Sequence, residues 1–255
     1  MKHALFPNIE REDKARAVRV LLESTTQGVD YYLLLSLAVV IAAIGITEAN
    51  TILLVASMLI APLLYPILSL GLGIVLHDAS VMGLSGRTLA WSTLSAALLA
   101  FVSSLFVSEP AESTREVIAA MFTPSLGYLV VAVVAGVAVT YALIRPRLSE
   151  HLPGVAVAVA LLPPLAAVGT SAAWGWWDVV FSAMALFALN VGGIIAATVI
   201  VFSLFNMRAE RPTAQAALAN HEDGARSMTP QPEGDDTIAA ASAGVAGGPA
   251  QTKDS

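Results

Sequence analysis

Six long runs of the chain contain no Asp, Glu, Lys or Arg, and short polar segments separate them. Each run is near or above the roughly 17–25 apolar residues that an α-helix needs to cross a bilayer. The pattern therefore predicts six transmembrane helices in an all-α integral membrane protein. The predicted spans are 31–47, 51–76, 88–107, 125–144, 153–173 and 179–206.

The first 29 residues are charged and predict a cytoplasmic leader rather than a span. Within 8–24, acidic residues precede basic ones by four positions, as in Glu10 and Lys14, an order that supports a helix. One face of this helix carries Val18, Leu21, Leu22 and Thr25. Two interpretations stay open: an amphipathic helix lying on the membrane surface, or a solvated leader before the first span.

Two other segments fall outside the six predicted spans of the transmembrane domain, 30–207. The segment 208–255 is rich in Ala, Gly, Pro and Ser and has no aromatic residue. It cannot bury enough apolar area to offset its ordering entropy, so we expect a disordered cytoplasmic tail. Between the third and fourth spans, Ser113 and Glu116 fit a capping box and predict a short interfacial helix.

Lys and Arg are distributed unevenly between the two sides of the predicted bundle. If the N-terminus is inside, Arg115 is the one basic residue of the outer loops, and the other 12 of 13 lie inside. Because basic loops stay in the cytoplasm, we predict a multi-pass protein of the cell membrane with both termini cytoplasmic. Glu48, Asn50, His77 and Asp78 at span boundaries are expected to be wetted helix ends, with pore gating as the alternative.

Composition excludes several classes of protein. The chain is 56% apolar and only 13% charged, where an ordinary soluble domain is about 25% charged. Its mean hydropathy is +0.75. With no Cys there is no disulfide framework, and a net charge of −6 argues against a nucleic-acid partner. We expect no cofactor, no metal and no enzymatic activity, because no nucleophile–base pair, H-E-x-x-H motif or P-loop is present.

The spans fall into two groups of three with related motifs. The second span contains L-I-A-P-L at 59–63, and the fifth contains L-L-P-P-L at 161–165. The third and sixth spans share an aromatic–serine pair at 91–92 and 181–182. Since three is odd, the second group enters the bilayer from the opposite side, which predicts a 3+3 inverted repeat. The alternative is that Pro is simply common in membrane helices.

Proline interrupts the second span of each group, at Pro62 and Pro66 and at Pro163 and Pro164. A Pro inside a helix frees a carbonyl one turn earlier, and in lipid that carbonyl needs a protein or water partner. The two spans are either simply kinked, or they are discontinuous or re-entrant, with breaks that bind a solute or ion. We predict that Pro62 and Pro164 approach each other near the bilayer midplane and that their breaks line the functional cavity.

Other polar side chains lie near the breaks or deep in a span. Ser57 and Tyr65 flank the first break, where hydroxyls often re-bond freed carbonyls instead of binding a ligand. Asn190, followed by Gly192 and Gly193, either contacts a solute or makes an interhelical hydrogen bond, and we predict that it faces the bundle interior. The predicted solute or ion path consists of Ser57, Pro62, Tyr65, Pro66, Pro163, Pro164, Asn190, Gly192 and Gly193.

Two motifs resemble a known family. Residues 56–63 read A-S-M-L-I-A-P-L and are followed by Pro66 and Ile67, which is similar to the MLIAP…PI signature of the domain of unknown function 389 family. Residues 152–165 read L-P-G-V-A-V-A-V-A-L-L-P-P-L and resemble that family's PGVAIAVALVPPL signature. Asn190 with the two glycines after it matches the family's last span. The resemblance covers 30–206 and implies a prokaryotic multipass membrane protein, without implying an activity.

We favour a secondary transporter or channel for an ion or small solute over a non-transporting membrane scaffold or assembly protein. No ionisable residue lies within the predicted spans, so a carboxylate proton relay is not expected. Small residues at 132 and 136, and at 192, 193, 196 and 197, suit helix association and keep the scaffold alternative open. The expected partners are the lipid bilayer, a small solute or ion, and further copies of the chain in a homo-oligomer.

Overall fold

The computed structural model describes residues 11–25, 28–107, 109–145 and 161–227. The chain divides into two compact units, 1–218 and 219–255. The part of the second unit that is described, 219–227, is helical. The first half of the predicted fifth span, 153–160, lies outside the described residues.

All secondary structure in the described residues is helical. The helices are α1 (Arg11–Thr25), α2 (Val29–Thr47), α3 (Thr51–Ile60), α4 (Leu64–Leu76), α5 (Ala79–Ser104), α6 (Glu112–Met121), α7 (Leu126–Ile144), α8 (Leu162–Ala173), α9 (Trp177–Leu204), a 3₁₀ turn (Met207–Glu210) and α10 (Arg211–Ser227).

Three described helices, α2, α7 and α9, are long and apolar enough to cross a membrane, and α3 with α4 forms a fourth candidate that is bent by 56°. The first, second, fourth and sixth predicted spans are therefore confirmed as apolar segments of sufficient length. The third and fifth are not. The fifth is described only from residue 161, and α8 alone has 12 residues, or about 18 Å of helix.

Helix α5 is long enough to span a bilayer, with 26 residues, but its many hydroxyls and Arg87 lower its hydropathy. Its exposed face is nevertheless apolar and carries Trp91, Leu94, Leu98 and Val102. Its buried face carries Ser85, Thr88, Ser92 and Ser104. A helix that turns leucines outward and hydroxyls inward suits a lipid surrounding, where the hydroxyls bond within the bundle.

Tight turns join α2 to α3, α4 to α5 and α8 to α9. Each turn has one residue with positive φ, namely Ala49, His77 and Gly175. The following residue donates its N–H to a carbonyl five positions back, as in Asp78 to Gly73 at 3.1 Å and Trp176 to Ser171 at 2.9 Å. This hydrogen bond ends one helix, and the residue that donates it is the N-cap of the next helix. The two consecutive helices therefore lie side by side.

Helix α1 confirms the predicted N-terminal helix over the described residues. Val18, Leu21, Leu22 and Thr25 are all buried, and α1 packs against α4, α5 and α7. Lys14 Nζ donates to the Phe205 carbonyl at 2.6 Å, where it satisfies the C-terminal end of α9. The apolar face of α1 thus rests on other helices of the protein.

The segment after α9 differs from the predicted disordered tail. The 3₁₀ turn and α10 make residues 207–227 helical, and Met207, Glu210 and Ala214 are buried. Composition alone missed this because the segment is ordered by contacts with distant residues rather than by its own apolar content. The remaining residues of the predicted tail, 228–255, lie outside the described residues.

Helix α6 confirms the predicted short helix between the third and fourth spans. It begins two residues earlier than the predicted capping box, with Ala111 instead of Ser113 as the N-cap, and the N-cap makes no side-chain bond. The predicted capping box is therefore wrong. The start of α6 is held instead by the backbone, with the Thr114 N–H donating to the Ala111 carbonyl at 2.9 Å.

Candidate functional site

The break between α3 and α4 separates two helices rather than kinking one. Helix α3 ends at Ile60, Ala61 is extended (φ −69°, ψ 124°), and α4 begins at Leu64 at 56° to α3. Pro62 lies in the break and is half-buried. Because Pro62 has no N–H, the chain cannot continue the hydrogen-bond ladder of α3 through this point.

Proline begins α4 and α8. Pro66 is the third residue of α4, and Pro163 and Pro164 are the second and third residues of α8. N–H groups in the first turn of a helix have no intrahelical partner, so Pro costs little there. The expectation that Pro62 corresponds to Pro164 is therefore corrected: Pro164 occupies in α8 the place that Pro66 occupies in α4.

Hydroxyl groups near the breaks fall into two kinds. Ser57 is buried and donates to the Leu54 carbonyl at 2.7 Å within its own helix, which is the structural alternative to a ligand contact. Ser69 on α4 and Thr170 and Ser171 on α8 are fully buried, and their hydroxyls have no hydrogen-bond partner in the described structure. Buried hydroxyls are normally bonded to protein or to ordered water, so each of these three groups lacks the partner that such a group usually has.

The predicted residues of α9 separate onto different faces. Asn190 is 3% exposed and lies inside the bundle. A Cβ on Gly193 would come within 3.0 Å of Ala132 Cβ, so Gly193 serves close packing against α7. Gly192 is exposed, with nothing near the position of a Cβ. Gly192 therefore faces away from the bundle interior, and its place in the predicted path is corrected.

Glycine also brings α4 and α8 close to helices of the other half. A Cβ on Gly71 of α4 would lie 2.7 Å from Thr198 Cγ2 of α9. A Cβ on Gly169 of α8 would overlap the Ala97 carbonyl oxygen of α5 and lie 2.8 Å from Ala100 Cβ. Only a residue without a side chain allows these approaches.

The two halves repeat the same spacing. Helix α7 begins 97 residues after α2, α8 begins 98 after α4, and α9 begins 98 after α5. The left-handed turn residues His77 and Gly175 are also 98 positions apart. Helix α5 packs against α2, α4 and α8, while α9 packs against α7, α8 and α4, which is the same set of contacts with the halves exchanged.

A surface groove of about 180 Å³ lies between α2 and α5, away from the predicted path. It is lined by Tyr32, Leu35, Ser36, Val39, Ser95, Ala96 and Leu99. Among the described residues there is no group of three or more His, Asp or Glu side chains that could hold a metal ion.

Asp78, expected to be a wetted helix end, is buried. Its Oδ1 accepts from the backbone N–H groups of Ser80 and Val81 at 3.0 and 3.3 Å and so caps α5. Its Oδ2 accepts from Gln215 Nε2 at 3.1 Å and lies 3.6 Å from Arg211 Nε. Burial alone would raise the pKa of Asp78, but these hydrogen bonds and the Arg211 charge outweigh it and lower that pKa.

A second charged cluster joins α6 to the start of α9. Arg115 bonds Glu112 at 3.0 Å and Asp178 at 2.9 Å, and it lies over the Trp176 ring. Trp176 Nε1 donates to Glu109 Oε1 at 2.8 Å. The carboxylate of Asp178, followed by that of Glu112, raises the pKa of Arg115. Sequence reasoning missed both clusters, since their partners are 63 and 137 positions apart.

Long apolar helices, a broken helix pair and apolar side chains turned outward define the class: an all-helical protein of the kind that resides in membranes. The chain belongs to the family described as domain of unknown function (DUF389), whose model matches residues 58–196, more than half of the chain. The matched region holds the half-helices α4 and α8, in which Pro lies in the first turn, and most of α9. The family predicted from the two proline motifs is thereby confirmed.

The chain is also similar to an uncharacterized protein, MJ0678, of Methanocaldococcus jannaschii. The two are 29% identical over 203 residues, which is 78% of this chain and 62% of the relative. The chain thus spans less than two thirds of the length of that relative. No solved structure gives a significant match.

Proposed function

We propose that this protein is a secondary transporter or channel for an ion or small solute, with its path between the half-helices α4 and α8. The observation that carries the proposal is the burial of Ser69, Thr170 and Ser171 on these half-helices with unpartnered hydroxyls. Polar groups inside a membrane bundle are costly unless they serve a bound molecule or water.

A 3+3 inverted repeat is the second part of the proposal. Gly71 and Gly169 are 98 positions apart, and so are their contacts Ala100 and Thr198. Gly71 meets Thr198, whereas Gly169 meets Ala100. One contact becomes the other when the halves are exchanged, as a pseudo-two-fold axis requires. The equal helix spacing supports the same arrangement, in which α3–α4 and the segment ending in α8 are the broken spans.

The chemistry of the described path favours recognition by hydroxyls and backbone carbonyls. The buried polar side chains of α4, α8 and α9 are Ser69, Thr170, Ser171, Asn190 and Thr198, none of which carries a charge. We therefore propose a solute that is held by hydrogen bonds or a cation that is held by oxygen dipoles, with no proton relay and no chemical step. Pro62 and the half-buried Tyr65 border the break, so they complete the path.

We further propose that the protein lies in the cell membrane with both termini cytoplasmic. The basic residues support this orientation, since Arg115 alone lies in the predicted outer segments. The chain has no Cys, so single Cys residues report topology directly. Glu112→Cys and Gly175→Cys should react with an impermeant thiol reagent only from outside; reaction only from inside would refute the orientation.

Flux into proteoliposomes tests the function. Wild-type protein should move at least one member of a panel of monovalent ions and small neutral solutes. Pro62→Ala should lower this flux by at least about tenfold, because it lets α3 continue into the break. Pro124→Ala, in the loop before α7, is the matched control and should retain flux. A panel with no transported member, or flux unchanged in Pro62→Ala, would contradict the proposal.

The scaffold alternative keeps one specific observation. Gly136 packs on Ala197 and Ile194 within the chain, so that small-residue face is occupied. Gly192 and Ala196 remain exposed and stand four positions apart on α9, as in helix-association faces. Gly192→Leu should dissociate a homo-oligomer on a sizing column if this face joins two copies, and should leave the particle size unchanged if the face contacts lipid.

A further inference from the structure

We propose that α6 and α10 are two reciprocal latches, each of which follows one half of the chain and fastens the other half at opposite ends of the bundle. Helix α6 follows α5 and holds the start of α9. Helix α10 follows α9 and holds the start of α5. The inference rests on the proposed function, because alternate opening of two latches is what a transport cycle would need.

The first latch is the contact of α6 with α9. Arg115 reaches Asp178, the second residue of α9, at 2.9 Å, and its guanidinium carbon lies 5.7 Å from the Trp176 ring centroid. Ile118 of α6 and Phe122, the C-cap residue of α6, are buried. Glu109, just before α6, accepts from Trp176 at 2.8 Å. The contact between α6, which ends the first half, and the start of α9 in the second half thus has a charged, an aromatic and an apolar part.

The second latch is the contact of α10 with the start of α5. Asp78, the N-cap of α5, accepts from Gln215 at 3.1 Å and pairs with Arg211 at 3.6 Å. Ala214, between these two residues, is fully buried, and so is Met207 in the preceding 3₁₀ turn. The part of α10 that belongs to the first compact unit therefore lies against the turn between α4 and α5.

The two latches correspond to each other along the chain. Helix α10 begins 99 residues after α6, close to the 98 that separates α5 from α9. In both latches a carboxylate at the first turn of a long helix meets an Arg of the amphipathic helix from the other half. Helix α10 follows the end of α9 and reaches the start of α5, whereas α6 follows the end of α5 and reaches the start of α9, so the first turns of α5 and α9 lie at opposite ends of the bundle. Relative movement of the halves must open one latch.

The latches differ in strength. The Asp78 side chain is 5% exposed and the Asp178 side chain 58% exposed. An exposed ion pair contributes little, whereas a buried carboxylate that binds both Gln215 and Arg211 of α10 is costly to leave without these partners. The Arg115 latch is therefore the first to open, and the Asp78 latch keeps its own end closed in this conformation.

Thiol labelling tests the latches without measuring transport. The reporters are single Cys residues on the buried faces of the two helices, Ile118→Cys on α6 and Ala214→Cys on α10. Each is made in the otherwise Cys-free full chain and is labelled in sealed vesicles of either orientation. Arg115→Gln and Gln215→Ala open one latch each, and neither changes a helix cap. Glu112→Gln removes the local partner of Arg115 and is the control. Thermal unfolding in detergent verifies that each variant folds.

Arg115→Gln should speed labelling of the Ile118→Cys reporter by about two- to fivefold and slow labelling of the Ala214→Cys reporter. Gln215→Ala should do the opposite, with on the order of tenfold faster labelling of Ala214→Cys. Effects confined to the variant's own end, faster labelling at both ends, or no change would each overturn the reciprocal latch. Reciprocal labelling without any solute flux would overturn the proposed function and leave the latches standing.

Discussion

Helices α4 and α8 occupy corresponding places in the two halves, yet they meet their neighbours differently. Gly71 of α4 faces the side chain of Thr198, whose Cβ and Cγ2 would lie 2.9 and 2.7 Å from an added Cβ. Gly169 of α8 faces backbone atoms of Ala97 and Phe101 in α5, which cannot move without the helix. Both half-helices are closely packed, but α8 lies against the backbone of its neighbour and α4 against a side chain, so α8 has less room for an added methyl group.

The largest effect should come from a methyl group at the rigid contact. Gly169→Ala would overlap the α5 backbone and should cost about 3 kcal/mol or more. Gly71→Ala should cost less, about 1–2 kcal/mol, because the added methyl group meets a side chain instead of backbone atoms and Ala favours the helix. Thermal unfolding in mild detergent measures the difference. Equal shifts in Tm would contradict the difference in packing between α4 and α8.

Acid should release α10 from the bundle end next to α4. The folded state lowers the pKa of Asp78 below its unfolded value of about 3.9, so this contact stabilises at higher pH and is lost as pH falls through the folded pKa. Labelling of Ala214→Cys, measured relative to the exposed Glu112→Cys at the same pH to correct for the loss of thiolate, should therefore rise below about pH 4. Asp78→Asn keeps the helix cap and should abolish this pH dependence. A rise of equal size in Asp78→Asn would contradict the role of the carboxylate.

Partnered and unpartnered hydroxyls should respond differently to the same substitution. Thr140 is bonded to the Gly136 carbonyl at 2.7 Å and to Thr198 at 3.1 Å, so Thr140→Val should destabilise by about 1–2 kcal/mol. Thr170 has no such partner in the described structure, so Thr170→Val should change stability by less than about 0.5 kcal/mol and lower solute flux. A large loss of stability in Thr170→Val would mean that its hydroxyl is structural.

The smallest effect is expected at the outer charged cluster. The Glu112 side chain is 71% exposed, and its bond with Arg115 joins neighbouring turns of one helix. Glu112→Gln should therefore change stability by less than about 0.5 kcal/mol. A Tm that falls as far as in Gly71→Ala would show that this pair contributes more than an exposed ion pair should.

Charge-free runs predicted much of the fold because a bilayer-spanning helix has a strong local signal. Helix α2 ends at Thr47 and α7 ends at Ile144, where the predicted first and fourth spans end. The break near Pro62 was predictable for the same reason, since Pro cannot continue a helix.

The remaining features depend on distant contacts that no local pattern encodes. Whether Pro62 or Pro66 corresponds to Pro164 depends on the residue at which α4 begins after the break. Which of Gly192 and Gly193 faces inward depends on the rotation of α9. The burial of Asp78 depends on Gln215, which lies 137 positions away in a segment whose composition predicts disorder.

The central claim is that water and solute reach the hydroxyls between α4 and α8. Thr170→Cys and Ser69→Cys, each in sealed vesicles, measure this with a small charged thiol reagent. Thr140→Cys, at a buried and bonded hydroxyl between α7 and α9, is the matched control. We expect Thr170→Cys and Ser69→Cys to react from an aqueous side and Thr140→Cys to stay unreactive. A bundle in which all three stay unreactive from both sides would be dry, and that result would contradict a solute path.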